Sequence, residues 1–325
     1  MDKEKLLKII NKFKNKKILV LGDIMLDKYI WGEVSRISPE APVQVVNVLK
    51  ESYAPGGAAN VANNIAALNG KASMVGIVGN DEANKLLLNE LQKRNINVDG
   101  IFKDNNKPTI QKVRVIGRGQ QLLRFDYEKK GYVDGNTELS ILSFIEKNIG
   151  SFDAVAISDY AKGVITESLM RRLKEICKKN DKIIVVDPKP KHKDLYKNVD
   201  LVTPNHTEAH EISNIEMEDE DKIFEVGKAL IKFFNSPVLI TRGEKGMSLF
   251  ELNGEVTNIP TKAKEVYDVT GAGDTSVATI ALSLASGANL KEAAIIANYA
   301  AGITVGKIGT STVSIDELKK SIENE

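Results

Sequence analysis

The sequence is poor in the residues that build covalent or metal scaffolds. One cysteine, Cys177, stands among 325 residues, which excludes a disulfide framework and a thiolate zinc site. Its place in a Lys-rich helical run reads as a small, half-buried apolar residue and not as a redox centre. Histidine is nearly as scarce, and His192, His206 and His210 form neither His-Glu-x-x-His nor His-x-Gly-His. His206 and His210 share a helix face, but with no third ligand in view they read as surface polar residues. An excess of one charge is also missing, since 45 basic side chains face 44 acidic ones. No global field draws the chain to nucleic acid or to anionic lipid, so partners must be recognised locally. No stretch approaches about 18 uncharged apolar residues, which excludes a membrane-spanning helix. The Lys-rich start, residues 1–17, carries Leu6, Leu7, Ile10 and Phe13 at helical spacing, without a signal peptide's apolar core and cleavage site. It is expected to be a docking helix of a cytoplasmic protein.

What is present is a regular alternation. Short β-branched runs at 18–21, 74–78, 154–157, 183–186, 201–203 and 238–241 mostly lack strict period-two patterning, as expected of strands buried on both faces. Helical stretches lie between them, such as 60–68 with Val61, Ile65 and Leu68 on one face. This order predicts an α/β fold with a central, mostly parallel sheet flanked by helices. Ligands collect at the carboxyl ends of such strands. Here those ends read Gly22-Asp23, Ser158-Asp159, Asp187-Pro188-Lys189, Pro204-Asn205 and Arg242-Gly243. Two stretches depart from the pattern. Residues 110–116 and the alternating Leu123, Phe125 and Tyr127 flank a Gly117-Arg118-Gly119 turn, which predicts an antiparallel hairpin. Residues 43–48, after 31–42, read as its companion. Together, over about 28–50 and 108–128, they are expected to form a small antiparallel β lid that covers the site, pairs with a second copy as a homodimer, or both. The charged run 216–222 is expected to be an exposed loop.

The most informative motif is Asp268-Val269-Thr270-Gly271-Ala272-Gly273-Asp274, followed by an apolar-periodic stretch over 275–286. Two glycines let backbone approach an anion, and a helix starting there aims its unpaired N–H groups at the same place. Asp274, in the first turn, adds a proton acceptor, and the combination suggests phosphoryl transfer. A plain helix cap behind a tight turn would account for either feature alone. The helix N-terminus stabilises negative charge by about 0.3–1 kcal/mol, which predicts an ordinary, ionised Asp274 with no raised pKa. A second cluster, Gly56-Gly57-Ala58-Ala59-Asn60, opens a helix expected near Val61 and suits either a polyhydroxylated ligand or tight helix–strand packing. In Thr241-Arg242-Gly243-Glu244-Lys245-Gly246, the two glycines fit either a nucleotide phosphate or a hairpin turn. Asn205 and Glu208, three apart at a helix start, fit either Mg2+ bound through water or a cap. No Gly-x-x-x-x-Gly-Lys-Ser/Thr occurs, and the protein-kinase motifs are missing as well.

Residues 56–70 and 268–274 together resemble the two signatures of the PfkB, or ribokinase-like, sugar kinase family, and the similarity runs from about residue 17 to 315. The segments Gly22-Asp23-Ile24-Met25-Leu26-Asp27, Ser35-Arg36-Ile37-Ser38-Pro39-Glu40-Ala41-Pro42-Val43, Ser158-Asp159-Tyr160-Ala161-Lys162-Gly163 and Gly309-Thr310-Ser311-Thr312-Val313-Ser314 resemble the branch that phosphorylates heptose 7-phosphate at C1. The resemblance implies one ribokinase-like kinase domain over 1–325, using ATP and Mg2+. It implies Asp274 as the base and the amides of Gly271, Ala272 and Gly273 as stabilisers of the transferring phosphoryl group. Asn205, His206, Thr207 and Glu208 would belong to the Mg-ATP site, with Glu208 reaching Mg2+ through water. Thr241, Gly243 and Gly246 would lie along the nucleotide, and Asp27, Gly57 and Asn60 would bind sugar hydroxyls. Family members often use a monovalent cation, which implicates Asp268 and Thr270 in holding K+. The phosphate that such a sugar phosphate already carries needs cations, for which Arg124, Lys162 and Lys189 are candidates. A chain ending just after the kinase signature is expected to hand its product to a separate adenylyltransferase, for ADP-heptose and then lipopolysaccharide or another glycan.

Overall fold

The computed structural model describes residues 2–215, 222–263, 265–307, 309 and 311–324. Residues 216–221 of the charged run therefore lie outside the described residues. The strands are β1 (Lys17–Gly22), β2 (Ile24–Ile37), β3 (Gln44–Gly57), β4 (Lys71–Gly79), β5 (Asn97–Asp104), β6 (Ile110–Gly117), β7 (Gln120–Tyr127), β8 (Ala154–Ser158), β9 (Ile183–Asp187), β10 (Leu201–Val202), β11 (Val238–Thr241), β12 (Met247–Phe250) and β13 (Val256–Ile259). The helices are α1 (Lys3–Ile10), α2 (Ala58–Ala67), α3 (Glu82–Lys93), α4 (Gly135–Asn148), α5 (Glu167–Lys179), α6 (His206–Ser213), α7 (Lys222–Phe234), α8 (Ala272–Ala285), α9 (Leu290–Thr304) and α10 (Ile315–Glu323).

Nine strands form the main sheet in the order β13-β12-β11-β10-β9-β8-β1-β4-β5, parallel except at β11-β12-β13. The period of two divides each central strand between two cores: Ile18 and Val20 of β1 enter the one built with α1, α2, α8 and α9, while Leu19 and Leu21 enter the one built with α4, α5 and α7. Both faces are buried, which is why these strands read as continuous apolar runs. The amino-terminal helix docks through Leu6, Ile9 and Ile10, and the turn that follows it docks through Phe13. Cys177 on α5 is fully buried, not half-buried, and burial pushes its thiol up to about 12. The chain runs outward from β1 to β4 and β5, then from β8 towards β11, so its direction of travel reverses between β1 and β8. That reversal opens a crevice at their carboxyl ends.

The second sheet, β3-β2-β6-β7, is the lid. Positive φ at Arg118 and Gly119 closes the β6-β7 hairpin, the conformation that matches strand twist. The strands β2 and β3 are longer than the pattern of 28–50 suggested. The β2 strand starts within the body, where Ile24, Met25 and Leu26 are buried, and runs out into an exposed ribbon, from which the antiparallel β3 returns to the body at Gly56 and Gly57. The cluster Gly56-Gly57 is consequently the end of β3, and α2 begins at Ala58, three residues before the expected start.

Candidate active site

Gly271 caps α8 in the left-handed conformation, φ 84°, which glycine adopts without strain. Ala272, Gly273 and Asp274 form the first turn. Asp274 is 6% exposed, and both of its carboxylate oxygens are engaged: Asn60 Nδ2 donates to Oδ2 at 2.8 Å and the Tyr160 hydroxyl donates to Oδ1 at 3.0 Å. Burial outweighs these two bonds and pushes the carboxyl up to about 6. The ordinary pKa expected from the helix N-terminus is thus corrected, because desolvation is the larger effect. The Asn60 donor is itself held, since Asn64 Nδ2 donates to its backbone carbonyl at 2.9 Å and Asn64 Oδ1 accepts from Thr275 Oγ1 at 2.9 Å. These bonds fasten α2 to α8 beside the base.

Tyr160 was absent from the sequence-level site, although its segment ends β8 at the expected edge. Asp23, at the end of β1, accepts the backbone N–H groups of Tyr160, Lys162 and Val164 at 2.9, 3.0 and 3.1 Å and so fixes that loop. Asp159 accepts from Ala161 N at 2.8 Å and pairs with His192 Nδ1 at 2.7 Å, while the Tyr196 hydroxyl donates to it. His192 Nε2 in turn lies 3.0 Å from the Tyr132 hydroxyl. His192 is thus a buried strut of the loop, a role its sequence neighbourhood does not reveal. By contrast, His206 is exposed and His210 is half-buried, with Nδ1 against the Ile215 carbonyl.

A polar cavity of about 140 Å³ opens at Asp274, lined also by Tyr160, Asp187, Lys189, Glu208 and Gly273. Asn205 and Glu208 form a full capping box on α6, Glu208 N to Asn205 Oδ1 at 2.9 Å and Asn205 N to Glu208 Oε2 at 3.0 Å. The cap uses Oε2, and Oε1 pairs with Lys189. Asp187 was not among the sequence-level candidates as a carboxylate. Burial, followed by the charges of Glu208 and Asp274, pushes it well above the usual carboxylate range. Mg2+ typically keeps several waters and takes one or two carboxylates plus phosphate oxygens, so Asp187 and Glu208 fit it without a dedicated cage. Among the described residues no group of three or more His, Cys, Asp or Glu has the geometry to hold a metal alone.

Gly273 and Thr241 also line an adjoining groove of about 450 Å³ with Gly243, Gly246, Val266, Val269, Ala301 and Val305. Gly243 and Gly246 hold left-handed conformations in the β11-β12 turn, where Arg242 N donates to the Gly246 carbonyl at 2.8 Å, so the hairpin reading holds and the turn still borders the groove. A side chain at Gly273 would meet open space, which leaves room for an anion between the polar cavity and the apolar groove. His206 and Thr207 are exposed in the first turn of α6. Asp268 accepts from Thr270 N at 2.9 Å and Gly309 N at 3.0 Å, which ties two loops together behind the cradle.

On the lid side, Asp27 is buried and pairs with Arg114 Nη1 at 2.5 Å, and Gly56 leaves the space that its carboxylate fills. Gly57, at φ 56°, packs on Asp23 and Met25, so tight packing accounts for it directly. The three candidate cations are all engaged: Arg124 with Asp126 at 3.0 Å, Lys162 with Glu128 at 2.6 Å, and Lys189 with Glu208.

The model of the pfkB family carbohydrate kinases matches residues 15–318. This chain belongs to that family. It is 43% identical over 317 residues to the bifunctional protein HldE of Desulfatibacillum aliphaticivorans, covering 97% of this chain and 65% of that protein. It is 44% identical over 301 residues to HldE of Geobacter metallireducens, covering 92% and 61%. The chain thus spans a little under two thirds of these relatives. The fold is shared with Arabidopsis thaliana ribokinase complexed with ribose and ATP, at 21% identity, TM-score 0.72, and 95% and 97% coverage. It is also shared with phosphofructokinase-2 from Escherichia coli in complex with potassium, at 20% identity, TM-score 0.77, and 95% and 98% coverage. As a member of a family of carbohydrate kinases the chain is a phosphotransferase acting on a sugar hydroxyl.

Proposed function

We propose that this chain transfers the terminal phosphoryl group of Mg-ATP to the C1 hydroxyl of a heptose 7-phosphate. The observation that carries the reading is the buried Asp274, oriented by Asn60 and Tyr160, at the mouth of a glycine-walled space joining a carboxylate-lined cavity to an apolar groove. The choice of sugar rests on the segments around Asp27, Arg36, Tyr160 and Ser311. In this reading the groove takes the nucleotide base, the amides of Ala272 and Gly273 face the transferring group, and Asp187 and Glu208 hold Mg2+, which neutralises charge on the phosphates. Asp274 accepts the proton of the C1 hydroxyl. Phosphoryl transfer of this kind relies mainly on positioning and charge stabilisation, which suits so enclosed a site.

K+ near Asp268 and Thr270 belongs to the same reading. So does a homodimer through the lid, which is supported by the exposed Leu49, Leu123, Phe125 and Tyr127. Among the described residues no helix is long and apolar enough to cross a membrane, and we place the reaction in the cytoplasm. The product, an anomeric phosphate, is the kind of substrate that a nucleotidyltransferase activates. A coupled ADP-release assay with heptose 7-phosphate, fructose 6-phosphate and ribose tests the reading. Selective turnover of the heptose is expected, and preference for either other sugar would overturn the substrate assignment.

A further inference from the structure

The inward face of the lid carries more positive charge than its own carboxylates neutralise. Strand register places Asp27, Lys112 and Asp126 side by side across β2, β6 and β7, and sets Arg114 opposite Arg124 two residues further along. In this patch three cations, Lys112, Arg114 and Arg124, sit beside two carboxylates, Asp27 and Asp126. Arg114 takes Asp27, and Arg124 grips Asp126 with two bonds, Nε to Oδ1 at 3.0 Å and Nη2 to Oδ2 at 3.2 Å. Lys112 is the remainder. It is half-buried, has no carboxylate within ion-pair distance among the described residues, and lies 5.3 Å from the centre of the Tyr160 ring. Burial pulls its ammonium below the usual range, and an incoming anion would offset that cost of desolvation.

Its location narrows the anion. Tyr160 donates to Asp274, so Lys112 stands one aromatic ring away from the base. It lines neither the polar cavity nor the apolar groove, whereas Lys189 lines the cavity and is paired there with Glu208. The uncommitted charge is thus on the lid side, beside Asp27, the residue expected to bind the acceptor's hydroxyls.

We propose that Lys112 binds the phosphate that the acceptor sugar already carries and thereby sets the preference for a phosphorylated over a free sugar. This rests on the reading of the acceptor as a sugar phosphate. A charge-assisted contact of this kind is lost in Lys112→Met, which should raise KM for heptose 7-phosphate about 10- to 100-fold. KM for ATP, kcat within about threefold, and the weak turnover of unphosphorylated heptose should stay as in the wild type, while Lys112→Arg should recover most of the affinity. Thermal melting reports whether each variant folds, and Lys112→Gln supplies the same comparison should the Met variant not fold. Wild-type turnover of the sugar phosphate with an unchanged KM in the variants would overturn the role of Lys112 and leave the substrate reading standing. A fall in kcat at constant KM would overturn it too, by placing the charge on the transferring group. Wild-type turnover confined to free sugars would overturn both.

Discussion

Asp274→Asn separates the two consequences of burying a base. Burial lifts the carboxyl from the ordinary 3.8 to about 6, a penalty on its ionised form of about 3 kcal/mol. The helix N-terminus opposes this by only about 0.3–1 kcal/mol, so desolvation wins. Because the folded-state pKa is the higher one, the fold binds this proton more tightly than the unfolded chain does. Below the ordinary carboxylate range both states are protonated and no penalty exists. Between about 4 and 6 the unfolded chain releases its proton first and stability falls, and above about 6 the penalty is complete. The Asn variant lacks the charge but offers one acceptor oxygen where Asn60 and Tyr160 need two, and one unsatisfied donor costs about 1–3 kcal/mol. The net gain at pH 7.5 is therefore up to about 2 kcal/mol, and most of it should vanish at pH 4.5. Turnover should fall on the order of 10² to 10⁴. The assays are thermal melts of both proteins at the two pH values and coupled ADP release. Wild-type kcat/KM should rise through about pH 6 as the base ionises, and fall about tenfold one unit below. Near-normal turnover in the variant would remove Asp274 from the chemistry. A melting difference that ignores pH would refute the buried charge.

Gly273→Val places a side chain in open space, so the fold should melt within a few degrees of the wild type while turnover drops at least about tenfold and KM for ATP rises. Unchanged kinetics would count against an anion there. Tyr160→Phe removes a bond that favours the ionised base, so the acidic limb of kcat/KM should move up by about one pH unit, leaving activity near pH 8 less affected than near pH 6. An unmoved limb would mean that the hydroxyl does not act on Asp274 in the working enzyme.

The parallel sheet was legible because strands buried on both faces, such as 18–21 and 154–157, leave unbroken apolar runs. Short or edge strands leave none: β5, β12 and β13 escaped notice, as did the inner half of β3, where Glu51 and Pro55 interrupt the pattern. Glycines and first-turn carboxylates were legible for a similar reason, since backbone chemistry confines them to a few residue types. Tyr160, His192, Asp187 and Lys112 had no comparable signal. Each matters through what the fold sets beside it, a base, a buried carboxylate, a second carboxylate or a vacated ion-pair position, and none of these neighbours is close in sequence. The raised pKa of Asp274 escaped on the same ground, because the helix dipole can be read from the chain and burial cannot.

The pairing of the two glycine-rich motifs has a physical explanation in the same geometry. Asn60 and Asp274 lie 214 residues apart, yet the amide of one orients the carboxylate of the other. Each motif starts a helix, and the two helices are fastened by Asn64 and Thr275 one turn further in. Neither start makes a working base alone: without α2 the Asp274 carboxylate would lose the donor that partly offsets its burial, and without α8 the Asn60 amide would be a buried donor with no partner. Asn60 is expected to bind sugar hydroxyls, and one N–H of its Nδ2 serves the base, so beyond any contact with the acceptor it also sets the direction in which Asp274 presents its oxygen. A change in either motif should therefore appear first in the pH dependence of turnover and only secondarily in sugar affinity.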